Sequence, residues 1–129
     1  MLNDTLANIL SMITNYGKIG RKNCIVRPAS KVVINVLNIL KEEGYLNNYR
    51  IVEQSRGGLI DISLTGFINK CNVIKPRFSV KKNEFERFEK RFLLAKDFGI
   101  LIVSTPKGLM THHKAKELGT GGRLLAYCY

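Results

Sequence analysis

Apolar residues recur at helical spacing in two stretches of the first half of the chain. Between residues 6 and 13 they lie three or four positions apart, as on one face of a helix, and Gly17 can end that helix. The same spacing returns between residues 33 and 40, after Ser30, whose hydroxyl is a good N-cap. Residues 23–27 between the two stretches form a short apolar run of strand length. The pattern predicts a helix, a strand and a second helix.

Two further strands are predicted next. Residues 59–64 alternate apolar and polar side chains, which is typical of a half-buried strand, and residues 49–54 are of matching length. The Ser-Arg-Gly-Gly sequence at 55–58 lies between them and favours a hairpin turn over an Arg-Gly-Gly RNA-binding segment, because this tripeptide occurs once. The predicted order of elements in the first half is therefore α-β-α-β-β.

The second half is richer in strands, and its helices are short. Phe85, Phe88 and Phe92 recur at helical spacing among charged residues, so their rings are expected in the core rather than as a base-stacking platform. The predicted elements are a connector at 66–71, a strand-like stretch at 73–80 interrupted by Pro76, a helix within 83–94, a strand at 99–103, a helix that follows Thr111 and ends at 118, and a strand at 124–129. The chain is predicted to be α+β, with an α-β-α-β-β domain at residues 1–66 and a smaller, mostly β domain with short helices at 67–129.

The charge of the chain indicates the class of partner. Its 129 residues include 21 Lys and Arg against 10 Asp and Glu, a formal net charge of +11, and 45% hydrophobic residues suffice for a core. Such an excess is typical of a protein that binds a polyanion, either a nucleic acid or an anionic membrane. Residues 42–64 alone hold more acids than bases, four against two. This acidic stretch is expected to face away from a nucleic acid.

A membrane partner is disfavoured. No apolar run approaches the roughly 20 residues that span a bilayer, and the amphipathic helices lack the Lys-rich face of membrane-surface helices. The N-terminus has no signal-peptide pattern, so we expect an unexported protein. Cys24, Cys71 and Cys128 are widely spaced and odd in number, which favours reduced, buried thiols over a disulfide framework or a zinc site.

Candidate catalytic residues are few. Ser104, Asp97 and either His112 or His113 supply the residue types of a hydrolase, but no nucleophile elbow surrounds the serine. Two adjacent histidines diverge on a helix and lack the spacing of a metal pair, so both are interpreted as solvent-facing. No enzyme activity, metal, cofactor or small-molecule substrate is expected.

Two short segments have the composition of phosphate-contacting loops. Residues 104–108, Ser-Thr-Pro-Lys-Gly, combine hydroxyls, a base and a glycine after the most apolar strand, although a plain loop leading into a helix has the same composition. Residues 119–123, Gly-Thr-Gly-Gly-Arg, lack the Lys-Ser/Thr ending of a nucleotide P-loop. A tight turn with positive φ and a close approach to an external phosphate both remain open for this segment.

Motifs along the whole chain, taken in order, resemble one family. Residues 102–127, IVSTPKGLMTHHKAKELGTGGRLLAY, resemble the C-terminal signature of the universal small-subunit ribosomal protein eight family: a Ser-Thr loop, a glycine, a Thr-capped helix, a Gly-Gly pair and a final strand. Residues 4–8 are similar to the start of its first helix, 28–30 to the entry of its second helix, and 43–45 to the exit of that helix. Residues 75–78 and the compact length look like the archaeal and eukaryotic branch.

The resemblance implies a structural protein of the small ribosomal subunit in the cytoplasm. Such a protein binds the central domain of small-subunit rRNA, contacts neighbouring small-subunit ribosomal proteins, and supports subunit assembly and translation. The first domain would dock on the RNA and the second would recognise it. A free-standing RNA-binding regulator is the alternative.

The resemblance, together with exposed bases suited to phosphate contacts, gives a set of expected RNA-binding residues. Bacterial members usually have a third hydroxyl where this chain has Pro106, and often Glu where it has Arg123. The full set is Asp4, Asn8, Lys18, Arg27, Ser30, Lys31, Lys70, Arg77, Ser104, Thr105, Pro106, Lys107, Gly108, Thr120, Gly121, Gly122 and Arg123.

Overall fold

Two separate sheets organise the chain, one in each of two units. Contacts divide the computed structural model into Met1–Asn69 and Lys70–Tyr129. The predicted α+β class is confirmed, with an α/β first unit and a mostly β second unit. The division after residue 66 into an RNA-docking unit and an RNA-recognition unit stays a prediction. The structure describes residues 5–27, 29–52, 58–75, 77–93 and 98–129.

The first unit has the predicted α-β-α-β-β order. Its elements are α1 (Thr5–Lys18), β1 (Asn23–Val26), α2 (Lys31–Glu42), β2 (Leu46–Val52) and β3 (Leu59–Leu64). The three strands are antiparallel in the order β1-β3-β2, so β3 is central. The turn predicted at 55–58 lies outside the described residues except for Gly58.

Local capping and apolar periodicity explain the two helices of this unit. The Ser30 hydroxyl accepts a hydrogen bond from the Val33 N–H at 3.3 Å, which satisfies one of the first backbone donors of α2. The apolar faces of both helices are buried, and Leu10, Leu37 and Leu40 have no exposed surface. Burial of these faces supplies most of the stability that helices of this length lack on their own.

The second unit is built around its last strand. Its elements are β4 (Cys71–Val73), β5 (Ser79–Val80), α3 (Phe85–Phe92), β6 (Ile100–Thr105), β7 (Gly108–Thr111), α4 (His112–Leu118) and β8 (Gly122–Cys128). The sheet runs β4-β8-β6-β7, and β5 also pairs with β8. All of these pairings are antiparallel. Three other strands therefore depend on β8.

Two parts of the second unit differ from the prediction. The single strand predicted at 73–80 is two short strands, β4 and β5, and β4 begins at Cys71, where a connector was expected. Residues 108–111 form β7, so the segment at 104–108 is the end of a hairpin and not a loop that leads directly into a helix. The reason is that Thr111 both ends β7 and caps α4, accepting from the Lys114 N–H at 3.2 Å. A four-residue strand joined to a helix leaves little periodicity of its own.

The aromatic stripe of α3 lies in the core, as predicted. Phe85 and Phe88 are buried, and Phe92 packs partly buried against the same cluster. The Phe92 ring lies 5.6 Å from that of Tyr127 on β8, centroid to centroid. These rings join α3 to the sheet.

The Gly121–Gly122 pair is explained by contact with the protein's own backbone. A Cβ at Gly121 would lie 2.3 Å from the Val80 carbonyl oxygen, and one at Gly122 would lie 2.2 Å from that of Ser104. Neither glycine has a positive φ, and the left-handed conformation occurs at Gly119, which ends α4 with φ 66°. The glycines allow β8 to fit between β5 and β6.

We therefore expect Gly122→Ala to lower the free energy of unfolding by about 1–3 kcal/mol, because a methyl group must displace a strand backbone. Urea unfolding measures the loss. Gly17→Ala is the control, since a Cβ there meets nothing within 4 Å and the residue lies in α1, so this variant should be at least as stable as the wild type. An unchanged free energy of unfolding for Gly122→Ala would contradict this explanation, because it would show that β6 and β8 can move apart to accommodate the methyl group without loss of stability.

Candidate nucleic-acid interface

Three neighbouring strands of the second unit present a row of polar side chains. Arg123 on β8 lies opposite Ser79 on β5 and also opposite Ser104 on β6. Directly opposed residues of antiparallel strands point to the same side of a sheet, and all three residues are exposed. We call Ser79, Arg123 and Ser104 the polar row. It places an arginine between two serines, and these side-chain types are suited to phosphate and ribose oxygens.

The hairpin that joins β6 to β7 has one outward and one inward hydroxyl. Ser104 is exposed, and no described residue forms a side-chain hydrogen bond with it. Thr105 is buried, and its Oγ1 donates to the Gly108 carbonyl oxygen at 2.8 Å and accepts from the Lys107 N–H at 3.1 Å. Pro106 and Lys107 form the exposed turn. The hydroxyls of Ser104 and Thr105, which the sequence analysis did not distinguish, therefore have different surroundings.

The segment 120–123 contributes its last residue to the surface. Arg123 is exposed, while Thr120, Gly121 and Gly122 are half-buried, and the Thr120 hydroxyl donates to the Gly121 carbonyl oxygen at 3.2 Å. Gly121 and Gly122 are explained by the close approach of the neighbouring strand backbones. An RNA contact by the backbone of this segment stays a prediction.

The other predicted residues of the second unit are isolated bases. Lys70 and Arg77 are exposed. The Lys70 backbone exchanges two hydrogen bonds with Tyr129, each of 2.9 Å, which holds it beside the sheet.

The predicted residues of the first unit lie at helix and strand ends. Asn8 is exposed on α1, Lys18 ends that helix, and Arg27 follows β1. Lys31 is the exposed first residue of α2, where the helix dipole is positive. Ser30 is exposed, although its hydroxyl is engaged as the cap of the helix. Asp4 lies outside the described residues.

The family comparison covers nearly the whole chain. The model of the family described as ribosomal protein S8 matches residues 4–129. The chain belongs to the ribosomal protein S8 family. It is accordingly a small-subunit ribosomal protein that binds rRNA, with ribosomal proteins as partners, and the family is structural rather than enzymatic. Assignment to the archaeal and eukaryotic branch stays a prediction.

In the part of the chain that the structure describes, no helix is long and apolar enough to cross a membrane. No group of three or more His, Cys, Asp or Glu side chains within that part could hold a metal ion.

Sequence reasoning missed Ser79 in this S8 family member. The serine lies in a two-residue strand, which is too short for alternation to be detected, and only the strand register brings it beside Arg123. The only available signal was its position just after Arg77 and Phe78 in a basic, strand-like stretch.

The interpretation of His112 as solvent-facing is wrong. Its side chain is fully buried, and Nδ1 accepts a hydrogen bond from the Leu101 N–H at 3.0 Å. Leu101 lies one residue beyond the last β6–β7 pair, so the ring replaces the backbone acceptor that a longer β7 would supply. His112 therefore extends the hairpin ladder into α4.

A buried carboxylate accompanies this histidine. Glu89 on α3 is buried, and its Oε1 lies 3.0 Å from His112 Nε2 without an aligned hydrogen bond. Lys116 on α4 contacts the same oxygen from the partly exposed side. Burial lowers the pKa of His112 to about 4, with His113 and Lys116 adding to the decrease and Glu89 opposing it. The ring is neutral at physiological pH.

Stability should therefore depend on pH. A histidine in the unfolded chain has a pKa near 6.5, so the unfolded state binds the extra proton between pH 6.5 and about 4. With respect to this histidine, the free energy of unfolding is highest above pH 6.5. It falls by on the order of 3 kcal/mol as the pH is lowered toward 4. Chemical denaturation across this range measures the slope.

His112→Asn retains a side-chain acceptor for the Leu101 N–H and does not titrate, so most of the slope should disappear. His113→Asn is the matched control and should retain most of the slope, because burial is the larger cause of the lowered His112 pKa. An equal slope in wild type and His112→Asn would contradict the assignment.

Proposed function

We propose that this protein binds the central domain of small-subunit rRNA through the polar row and the hairpin at 104–108. In the cytoplasm this contact would support small-subunit assembly and translation. The observation that carries the proposal is the polar row, in which Arg123 lies between two exposed hydroxyls. Its neighbour Lys107 adds a second exposed charge at the turn.

The two hydroxyls of the hairpin take different roles in this proposal. Ser104 faces outward and is available to hydrogen-bond with a phosphate, ribose or base edge. Thr105 holds the turn closed through its bonds with Lys107 and Gly108, and so fixes where Lys107 and Ser104 point. Pro106 limits the conformations of the same turn by fixing its own φ. A rigid turn lowers the entropy lost on binding.

Dispersed bases supply the remaining affinity. The net charge of +11 favours phosphate contacts irrespective of sequence, and the exposed bases on both units are suited to them. Lys31 lies at the positive end of α2, so the lysine and the helix N-terminus would both attract a phosphate. Charge would thus supply attraction, whereas the polar row would supply discrimination between RNAs.

The first test compares RNA fragments. Affinity for a central-domain fragment should fall roughly a thousandfold between about 50 and 200 mM salt, as expected for about six phosphate contacts. A fragment of equal length from another rRNA domain should bind much more weakly at the higher salt. Equal affinity for both fragments would contradict recognition of the central domain, and a flat salt response would contradict the role of charge.

The second test separates the two hydroxyls. Ser104→Ala should weaken binding to the central-domain fragment by about 1–2 kcal/mol, roughly 5- to 30-fold in Kd, because a hydrogen bond is lost while counterion release is unchanged. Its free energy of unfolding should stay the same. Thr105→Val should lower both stability and affinity, whereas Thr105→Ser, which keeps the hydroxyl, should retain both.

Ser63→Ala is the matched control for Ser104→Ala. Ser63 lies on β3 in the acidic stretch that is expected to face away from RNA, and the substitution should leave Kd unchanged. Normal binding by Ser104→Ala, or an equal loss in Ser63→Ala, would contradict the role given to the polar row.

A further inference from the structure

Two of the three cysteines lie opposite each other in the second sheet. Cys71 on β4 and Cys128 on β8 are register partners, although 57 positions separate them in the sequence. Both side chains are buried, and no disulfide joins them in the structure. Cys128 is also the first cause of the raised pKa of the Cys71 thiol, ahead of burial. The fold has therefore placed two buried thiols directly opposite each other on neighbouring strands.

The backbone hydrogen-bond pattern identifies the type of pair. The adjacent pair, Lys70 and Tyr129, exchanges both N–H···O bonds, each 2.9 Å long. Bonded and non-bonded pairs alternate along an antiparallel ladder, so Cys71 and Cys128 form a non-hydrogen-bonded pair. The Cα atoms of such a pair are about 4.5 Å apart. A disulfide spans Cα separations of roughly 4.4–6.8 Å, and the separation typical of such a pair lies at the lower end of that range.

Access to the thiols is controlled by β4. This strand has three residues and lies at the edge of the sheet, where local opening costs less free energy than opening of a central strand. The neighbouring Cys128 thiol and burial raise the pKa of the Cys71 thiol well above its ordinary value. The thiol pair is therefore unreactive while β4 is paired and becomes reactive when β4 opens.

We propose that Cys71 and Cys128 are a redox-sensitive pair that closes to an intrachain disulfide in the presence of a low-molecular-weight disulfide such as oxidised glutathione. The modification joins the edge strand β4 to the central strand β8. Cys24 does not take part, because it lies on β1 of the other sheet, where its register partner is Ile62. The pair is independent of the RNA-binding role, since neither sulfur belongs to the polar row.

The reaction is balanced as a thiol–disulfide exchange. Cys71, the less deeply buried of the two, loses its proton when β4 opens, attacks one sulfur of oxidised glutathione, and releases one glutathione thiolate. The Cys128 thiolate then attacks the Cys71 sulfur of this mixed disulfide and releases the second glutathione. Two protein thiols lose two electrons and two protons in total, and one glutathione disulfide becomes two glutathione thiols.

The test counts thiols after equilibration of the intact protein with a glutathione redox buffer. After quenching with acid and denaturation, the reduced chain has three titratable thiols and the oxidised chain should have one. The mass should fall by about 2 Da, and a peptide map under non-reducing conditions should contain the Cys71–Cys128 link. The number of thiols is measured until it no longer changes. Slow opening of β4 would therefore delay the final value without altering it.

Single variants distinguish this pair from other pairings. Cys24→Ser should still lose both of its remaining thiols, whereas Cys71→Ser and Cys128→Ser should lose none through an intrachain link. The oxidised wild type should also melt at a higher temperature than the reduced protein, since the link restricts the unfolded chain. Three remaining thiols at equilibrium, a link that contains Cys24, or a persistent glutathione adduct on Cys71 would each overturn the proposal.

Discussion

The close backbone approach at Gly121 and Gly122 determines the geometry of the second unit. β8 fits between β5 and β6 because these two positions have no Cβ, and the space a Cβ would need is occupied by backbone carbonyl groups of the neighbouring strands. Arg123 comes directly after the pair, so the same contact places it between Ser79 and Ser104. The candidate interface is thus a consequence of how tightly the strands pack, and it requires no special loop conformation.

Signals that act locally made much of the fold predictable. α1 and α2 were predictable from apolar periodicity, and α2 also from its Ser30 cap, because such signals depend only on neighbours in sequence. The helix end predicted at Gly17 was wrong: α1 continues through Gly17 to Lys18, and the left-handed glycine that follows is Gly20. β7 was missed because Thr111 ends a strand and caps a helix at once. The buried position of His112 was also missed, since its role depends on the Leu101 N–H, which lies beyond the last β6–β7 pair and therefore bonds to the ring. Contacts of that kind become visible only when strands are in register.

Residue composition predicted the candidate interface better than it predicted the roles of individual residues. The hydroxyls of Ser30, Thr105 and Thr111 all accept hydrogen bonds from nearby backbone N–H groups, so these polar side chains stabilise caps and turns. Ser104 has the same chemistry but faces solvent. Consecutive side chains of β6 point to opposite faces, so Ser104 is exposed and Thr105 is buried. A shift of one residue in register would exchange the positions of these two hydroxyls. Sequence indicates which segments are rich in hydroxyls, but only the sheet shows which hydroxyls remain available.

The central place of β8 has a consequence for synthesis. The first unit contains all of its strands once residue 64 has been made, so its sheet can form while translation continues. In the second unit β4, β5 and β6 all pair with a strand that is translated after them. Until Gly122–Cys128 leaves the exit tunnel, those strands have unpaired edges and no common partner. The nascent second unit therefore carries unpaired strand edges from the synthesis of β4 until β8 is available, and pairing with β8 covers them.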